Sequence, residues 1–401
     1  MANLPSIASA RMQLLPPYIF GELNRIKAEK TAAGVDVIDF AMGNPVDPTP
    51  GFVIDELCRA AREPKNHRYS TANGIPELRR EAAAFYARRY GVKLDPETEV
   101  IASIGSKEAF SHLCLAILGP GDVVLTPTPA FPIHRYSPMI AGASAVGVAA
   151  GEGSDVEVQK RLLSGIDAAC RTLTPRPKAV IVCSPHNPTA RVFDRDFYPE
   201  LIRLARAHGF LVIHDFAYAQ TAFDGFKPPS ILEFEGAREL ACETWTMSKP
   251  YNMAGWRAGF CVGNRDMVGL LKSIKGYFDY GLFAGTERAA IVALREGDAA
   301  AAAQAALYQR RRDVLCRGLR ELGWEFNPPR GGMFVWAKVP PQFRAMGTMA
   351  FCKLLMDKAG VNAAPGVAFG EDGENYMRLA LIESEERISQ AIARMREAFV
   401  K

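Results

Sequence analysis

Seven short apolar runs recur along the chain up to residue 262, and most of them are separated by segments with helical periodicity. They cover residues 100–104, 123–126, 145–148, 179–183, 210–214, 243–247 and 259–262. This alternation is typical of an α/β fold. Because several runs are apolar at every position, we expect strands that are covered on both faces in a mainly parallel sheet.

The pattern differs before residue 100 and after about Gly285. A long helix is predicted over residues 299–322, because leucines repeat on one face and Gly323 follows as a stop signal. The rest of the chain predicts a strand at 333–338, a helix at 349–359, a strand at 376–380 and a final helix from Glu385. These elements indicate a second, smaller α+β domain.

The length of 401 residues exceeds the size at which one hydrophobic core usually stops growing. We expect a large domain at residues 46–285 and a small domain at residues 286–401, with the segment 1–45 packed against the small one. Hydrophobic residues make up 48% and charged residues 23% of the chain, and the mean hydropathy is -0.03. These values predict a folded, water-soluble protein.

The net charge of +4 is spread along the chain. Its densest basic cluster, the three arginines at 310–312, lies on the predicted long helix, and we interpret it as a solvated helix face. Binding to nucleic acid would require a larger basic excess on one surface or motif. No nucleic-acid partner is therefore expected.

The eight cysteines contain no CxxC pair, which favours reduced, buried thiols in a cytoplasmic protein. Residues 1–20 lack a basic segment followed by a sustained apolar stretch, so no export signal is expected. No window approaches the roughly 20 apolar residues of a membrane span. The sequence also contains no HExxH motif and no cluster with metal-ligand spacing, so neither a membrane nor a metal is expected.

Polar segments follow four of the predicted strands at the point where each strand ends. They read GSKE at 105–108, SPHNPT at 184–189, DFAY at 215–218 and TMSK at 246–249. In open α/β sheets, ligands bind beyond the carboxyl ends of the strands, and the unpaired N–H groups of a helix that begins at Ser106 form an anion site. One edge of the sheet is thus expected to carry an anion site, an amide, a carboxylic acid, a phenol and a lysine. This set suits pyridoxal phosphate, which needs a partner for each of its polar groups.

The segment TMSKPYNMAGWRAG at residues 246–259 resembles the lysine signature of class I/II, fold-type I aminotransferases, which depend on pyridoxal phosphate. Further motifs of that family follow in the same order: LPPY at 15–18, MGNP at 42–45, YST at 69–71, NPT at 187–189, Asp215 with Tyr218, PG at 365–366, and Arg378. The resemblance implies a large domain with a seven-stranded, mostly parallel sheet and a smaller α+β domain. It also implies a homodimer with active sites at its interface.

Within the family, GSKE at 105–108, FDYG at 278–281 and the lysine segment look most like bacterial glutamate-pyruvate (alanine) transaminases, with LL-diaminopimelate aminotransferases as relatives. The resemblance implies transfer of an amino group between an L-amino acid, alanine or glutamate, and a 2-oxo acid, pyruvate or 2-oxoglutarate. A diaminopimelate or aspartate-type aminotransferase and a fold-type I lyase remain alternatives, because the cofactor residues do not distinguish them. A dinucleotide enzyme is disfavoured, since residues 151–156 fail the GxGxxG pattern.

The same mapping implies the catalytic residues. Lys249 corresponds to the lysine that holds the cofactor as a Schiff base and moves the substrate proton, work that requires a pKa lowered by burial and neighbouring cations. Asp215 would face the pyridine nitrogen. Because an unpaired carboxylate at the end of an apolar strand is costly, a cation or a cluster of N–H donors should face it. Asn187 and Tyr218 correspond to the two donors to the phenolate oxygen.

The remaining assignments concern the phosphate, the ring and the substrate. The residues that map to the phosphate are Ser106, Lys107, Thr246, Ser248 and Arg257, together with Tyr69 from the other subunit. Phe131 has the position whose aromatic ring stacks on the cofactor. Arg378 maps to the arginine that grips the α-carboxylate of the substrate in a planar pairing that lysine cannot reproduce. The resemblance also implies three further residues that line the substrate side of the site: Asn187, Gly43 and Tyr18.

Three positions depart from the family pattern. Phe131 replaces a tyrosine that the diaminopimelate enzymes usually carry, which makes that substrate less favoured. Ala190 stands where a glycine often follows Asn-Pro-Thr, a mild change. The segment Gly285-Thr286-Glu287 replaces a more usual Pro-x-Gln and lies beside a substrate loop.

Overall fold

The structure is a computed structural model that describes residues 7–16 and 19–399. Its strands are β1 (Ile38–Asp39), β2 (Val100–Ser103), β3 (Val123–Thr128), β4 (Ser144–Ala149), β5 (Pro177–Cys183), β6 (Leu211–Asp215), β7 (Ala241–Thr246), β8 (Gly259–Gly263), β9 (Phe334–Lys338), β10 (Val361–Asn362), β11 (Ala364–Pro365) and β12 (Tyr376–Ala380). Each of the seven apolar runs lies on one of the strands β2 to β8.

The helices carry most of the remaining chain. They are α1 (Ala10–Gln13), α2 (Ile19–Ala32), α3 (Gly51–Ala61), α4 (Pro76–Tyr90), α5 (Ser106–Ile117), α6 (Pro132–Ile140), α7 (Asp155–Thr172), α8 (Phe197–His208), α9 (Arg265–Phe278), α10 (Ala284–Glu296), α11 (Asp298–Glu321), α12 (Thr348–Ala359) and α13 (Glu385–Phe399). Within the described ranges, no helix is both long and apolar enough to cross a membrane.

Seven strands form the central sheet, in the order β2-β8-β7-β6-β5-β3-β4. Strand β8 runs antiparallel to both of its neighbours, and the other pairs are parallel. The predicted α/β class with a seven-stranded, mostly parallel sheet is therefore confirmed. Because β2, β3, β5, β6 and β7 run in the same direction, their carboxyl ends lie along one edge.

Both faces of the sheet are covered, as the continuous apolar runs predicted. On β5, Val180 and Val182 belong to one buried cluster, whereas Ala179 and Ile181 belong to a second cluster on the opposite face. The four side chains are fully buried. Successive side chains of a strand point to opposite faces, so a strand between two helical layers must be apolar at every position.

Helix boundaries follow local capping chemistry. Helix α7 begins with a capping box, in which the Ser154 hydroxyl accepts from Glu157 N and the Glu157 side chain accepts from Ser154 N. Helix α9 begins at Asn264, whose side chain accepts from two backbone N–H groups. Helix α8 ends at Gly209 in the left-handed region (φ 76°), where glycine carries no steric cost.

A second core lies between the sheet β11-β12-β9 and the helices α11, α12 and α13. On the long helix, Leu315 and Leu319 are fully buried. Strand β1 pairs in parallel with β10, so the N-terminal segment packs with this second core. We retain domain boundaries near residues 45 and 285 as a proposal.

The interpretation of the arginines at 310–312 as a solvated helix face is wrong for two of them. Arg311 and Arg312 are only 5% and 7% exposed. Arg311 pairs with Asp47 at 2.6 Å, and Arg312 pairs with Asp224. A buried guanidinium requires such paired carboxylates, and these acids are distant in sequence, so a local pattern could not reveal them.

The cysteines are free thiols, and seven of the eight are buried. Cys58 is exposed, which corrects the expectation of uniformly buried thiols. Burial raises the pKa of the Cys114 and Cys352 thiols, so these two groups are poor nucleophiles.

A buried polar network fixes the strands β6 and β7 behind the edge where the polar segments meet. Glu243 is fully buried. Its carboxylate accepts hydrogen bonds from Tyr86 Oη (2.8 Å), Ser230 Oγ (2.6 Å) and Ile231 N (2.8 Å), and it lies 2.8 Å from His214 Nδ1. Each donor is buried and depends on one acceptor, so the network is costly to disturb.

Replacing Glu243 with glutamine is expected to lower the free energy of unfolding by about 2–3 kcal/mol, because an amide nitrogen would face donors that then lose their acceptor. Urea denaturation of both proteins measures the difference. Glu239→Gln, at an exposed position, is the matched control and should change the value by less than about 0.5 kcal/mol. Equal midpoints for the wild type and Glu243→Gln would contradict the assignment of the network.

Candidate active site

The carboxyl edge of the central sheet brings together side chains from several strand ends. Asn187 follows β5, Asp215 ends β6, and Lys249 follows β7. Helix α5 begins at the same edge, directly after β2. The second core reaches this edge through Arg378 on β12, so the site lies between the two cores.

Lys249 is half-buried and lies against the N-terminal segment. Its Nζ donates a hydrogen bond to the carbonyl oxygen of Gly43 at 2.8 Å. The pKa of Lys249 is lowered to about 7, chiefly by burial and then by the guanidinium groups of Arg378 and Arg257, while Asp215 opposes the shift. A large fraction of this amine is therefore neutral near pH 7. Gly43 has no room for a side chain, since a Cβ there would lie 2.7 Å from Phe334 Cε1.

Asp215 is buried, with 6% of its surface exposed, and it faces a histidine. Its Oδ2 lies 2.8 Å from His134 Nε2, and its Oδ1 accepts from Ala217 N at 3.3 Å. A cation or a cluster of N–H donors was predicted beside this carboxylate, but His134 was not identified from the sequence. The histidine lies on α6, 81 residues earlier, and no local motif marks it.

Arg378 connects the two cores at the site. Its Nη1 donates to Asn187 Oδ1 at 2.8 Å, and its Nη2 donates to the carbonyl oxygen of Ala41 at 2.7 Å. Its Cζ lies 4.2 Å from the ring centroid of Phe334 and 4.7 Å from that of Phe369. The guanidinium is therefore held both by hydrogen bonds and by cation–π contacts with two aromatic rings. No sequence pattern had indicated these two rings.

Tyr218 lies beside Asn187 in the same cluster. Asn187 Nδ2 donates to Tyr218 Oη at 3.4 Å. Burial raises the pKa of Tyr218, and the charge of Arg378 opposes that rise. The phenol consequently keeps its proton and can donate it in a hydrogen bond.

The amino end of α5 and the segment after β7 lie side by side and form a candidate crevice for an anion. Arg257 adopts a left-handed backbone conformation (φ 57°), and its guanidinium lies so close to Gly105 that a Cβ there would be 2.7 Å from Arg257 Nη2. Thr246 Oγ1 donates to Ser248 Oγ at 2.8 Å, and both residues are buried. Ser106 and Lys107 begin the helix, and the Lys107 side chain is exposed. Free N–H groups and a guanidinium together suit a phosphate.

Of the other candidate residues, Phe131 lies at the margin of this cluster and Tyr69 lies on the surface. Phe131 is half-buried and packs edge-on against His134, with ring centroids 6.0 Å apart. Tyr69 is 87% exposed, and its ring contacts Tyr280 at a centroid distance of 5.0 Å. Tyr18 lies outside the described residues.

Two groups of potential metal ligands converge from distant parts of the sequence, which spacing alone could not reveal. In the first group, the potential ligand atoms of His134, Cys183 and Asp215 lie close together. In the second, which comprises Glu108, His112 and Asp279, a protein cation already neutralises the acids. The buried ammonium of Lys275 lies 2.9 Å from Glu108 Oε1 and 3.1 Å from Asp279 Oδ1.

One edge of the sheet carries a lysine with a lowered pKa, a buried carboxylate and the candidate phosphate crevice. These features are typical of an enzyme that uses an aldehyde cofactor with a phosphate group. A family model for class I and II aminotransferases matches residues 35–395, and the chain belongs to this family. It is an aminotransferase that acts on an amino acid and a 2-oxo acid, with pyridoxal phosphate as its cofactor.

Individual relatives agree with this assignment. The chain is 45% identical over 396 residues to the glutamate-pyruvate aminotransferase AlaC of Escherichia coli, with 98% of this chain and 94% of that protein covered. It is 39% identical over 387 residues to an LL-diaminopimelate aminotransferase of Dehalococcoides mccartyi, with coverages of 96% and 97%. A solved single mutant of Thermus thermophilus aspartate aminotransferase has a TM-score of 0.87 and 28% identity, with coverages of 98% and 99%.

Proposed function

We propose that the protein transfers the amino group of L-alanine to 2-oxoglutarate, giving pyruvate and L-glutamate, and that it also works in reverse. The observation that carries the catalytic part is the half-buried Lys249 amine, whose pKa is affected by the charges of Arg378 and Asp215. The choice of substrates is supported by the resemblance of residues 105–108, 246–259 and 278–281 to alanine transaminases. The likeness to AlaC supports it as well.

The polar residues of the edge have defined tasks in this proposal. When bound, pyridoxal phosphate supplies an aldehyde that condenses with amines and a ring that withdraws electrons from the substrate Cα. Lys249 Nζ would hold the cofactor covalently and, once released, would act as the base that moves the proton at the substrate Cα. Asp215 holds a proton on the ring nitrogen, and Asn187 and Tyr218 donate hydrogen bonds to the phenolate oxygen.

The phosphate is assigned to the crevice at the amino end of α5. Arg257 gives the charged contact, and the hydroxyls of Ser106, Thr246 and Ser248 give neutral ones, with Lys107 at the rim. The exposed ring of Tyr69 is assigned to the phosphate of a second subunit, which makes the active form a homodimer. Exposed aromatic side chains beside it support that interface: Tyr277, Phe278, Tyr280 and Phe283.

The substrate side is assigned to Arg378, Asn187, Gly43 and Tyr18, with Phe131 against the cofactor ring. Arg378 binds the α-carboxylate of the substrate. Asn187 and the Ala41 carbonyl oxygen hold the plane of the Arg378 guanidinium. We further place the enzyme in the cytoplasm, which the free thiols support.

Replacing Arg378 with lysine is expected to lower kcat/KM for alanine by about 10²-fold, mainly through KM, because an ammonium cannot form the planar two-point pairing or fill the space between two rings. Initial rates over a range of alanine concentrations measure both constants. Arg396→Lys, on the exposed surface of α13, is the matched control and should behave as the wild type. A fall in kcat at unchanged KM would contradict a role in carboxylate binding.

One incubation tests the proposed reaction against its alternatives. Purified protein with alanine and 2-oxoglutarate should form glutamate and pyruvate in equal amounts. Pyruvate with free ammonia would instead indicate a lyase. Replacing alanine in turn by LL-diaminopimelate and by aspartate ranks the other two aminotransferase activities, and a higher kcat/KM for either would overturn the choice of alanine.

A further inference from the structure

Glu287 on α10 is a fully buried carboxyl group outside the cofactor site. Its Oε2 accepts a hydrogen bond from Ser70 Oγ at 2.9 Å, and its Oε1 accepts from Ile75 N at 3.1 Å. Both donors belong to the segment 70–75, which directly follows Tyr69. The carboxyl group therefore holds both ends of this segment.

The backbone of the segment is shaped to admit this carboxyl. Gly74 has a positive φ of 83°, and a Cβ at that position would lie 2.8 Å from Glu287 Oε1 and 2.3 Å from the Cβ of Ala102. Gly74 N donates to Thr71 O at 2.8 Å, which closes a tight turn. A larger side chain at position 74 would displace the segment from Glu287.

The charged groups near Glu287 do not neutralise it. Arg288, on the same helix, and Glu77, on α4, act on Glu287 in opposite directions, and these two residues pair with each other at 3.2 Å. The two direct partners of Glu287 are neutral donors. Burial consequently raises the pKa of Glu287 to about 7, although its hydrogen bonds oppose the rise.

We propose that Glu287 is a positioning residue whose protonated carboxyl anchors the segment 70–75, so that its ionisation releases the segment and loosens the hold of Tyr69 on the cofactor phosphate. The part concerning the phosphate rests on the proposed function, in which Tyr69 contacts the phosphate of the second subunit. The anchor itself concerns contacts within this chain.

The direction and window of the pH effect follow from linkage. When the segment moves away and water reaches Glu287, its carboxyl ionises at its ordinary value of 4.5, against about 7 in place. The anchored state therefore binds more protons between these two values, and the equilibrium for opening rises with pH up to about 7 before it levels off. Anchoring is strongest on the acid side of this window.

The first readout is amide hydrogen exchange of the segment 70–76 in the holoenzyme at pH 5.5 and 7.5, corrected for intrinsic exchange. In the wild type we expect the protection to fall about tenfold over this range. Glu287→Gln keeps the size and the acceptor oxygen but cannot ionise, so its protection should not vary with pH. Glu296→Gln, on the same helix and exposed, is the matched control and should follow the wild type.

The second readout is the rate of cofactor release after dilution, followed by absorbance. The ratio of the wild-type rate to the Glu287→Gln rate should rise about tenfold between pH 5.5 and 7.5. Ser70→Ala removes one hydrogen bond without removing the titrating group, so it should lower protection at both pH values and retain the pH dependence.

Equal pH profiles of protection in the wild type and Glu287→Gln would overturn the proposal. A pH-dependent protection with a constant ratio of release rates would overturn the link to Tyr69 and leave an anchor without that consequence. If the protein bound no cofactor, the proposed function would fail, and the exchange comparison on the same protein would still decide the anchor.

Discussion

Lys249→Ala is expected to lower kcat for transamination by about 10⁴-fold or more, because both the covalent attachment and the proton carrier are lost together. The Lys249 Nζ lies in a half-buried site, where it donates to the Gly43 carbonyl oxygen and where Arg378 and Arg257 lower its pKa. The phosphate crevice around Arg257 is unchanged in this variant. The cofactor should therefore still bind, but without a covalent bond.

Two measurements separate this result from misfolding. Borohydride treatment of the wild type should leave a reduced adduct on the peptide that spans residues 245–257, and the same treatment of Lys249→Ala should leave none. Lys272→Ala, at an exposed position on α9, is the control and should retain both the adduct and the activity. Normal turnover by Lys249→Ala, or an adduct on another peptide, would refute the mechanism.

The central sheet could be predicted from the sequence because its signal is local. A strand between two helical layers buries both faces, so β5 and β6 read as continuous apolar runs. The long helix α11 was predictable for the same reason, through its leucine repeat. The burial of its arginines was not, because Arg311 pairs with Asp47 and Arg312 pairs with Asp224 as well as with the adjacent Asp313, and only the folded chain brings Asp47 and Asp224 near.

The site shows the same division between local and distant signals. Asp215 ends a strand and Asn187 and Lys249 come a few residues after strands, and parallel strands bring their ends to one edge. His134 lies on a helix and faces Asp215 only through the packing of α6. Phe334 and Phe369, which enclose Arg378, come from the second core. Contacts between cores depend on the arrangement of the domains, which periodicity does not encode.

The contacts of Glu287, which departs from the family pattern, could be found only from the structure. In the sequence it was a change beside a substrate loop. In the fold it is a buried acid that holds Ser70 and Ile75. The ionisable group at this position makes the segment sensitive to pH, whereas the glutamine more usual in the family would not.

Asp215→Asn is expected to lower kcat by about 10³-fold while leaving covalent attachment intact. A carboxylate beside the ring nitrogen stabilises a proton there, and an amide does not; a change of three pKa units in that nitrogen corresponds to about 4 kcal/mol. The effect should be large because Asp215 is buried and its partner His134 cannot supply a negative charge. Lys249 is not altered, so the attachment should persist.

The effects of Asp215→Asn on cofactor attachment and on turnover can be measured separately. Single-turnover mixing of Asp215→Asn with alanine measures the chemical step, and borohydride trapping on residues 245–257 measures attachment. Asp196→Asn, an exposed acid before α8, is the matched control. If Asp215→Asn reacted within tenfold of the wild type, the carboxylate would not be holding the ring proton. The pair His134 and Asp215 would then serve only to pack α6 against the end of β6.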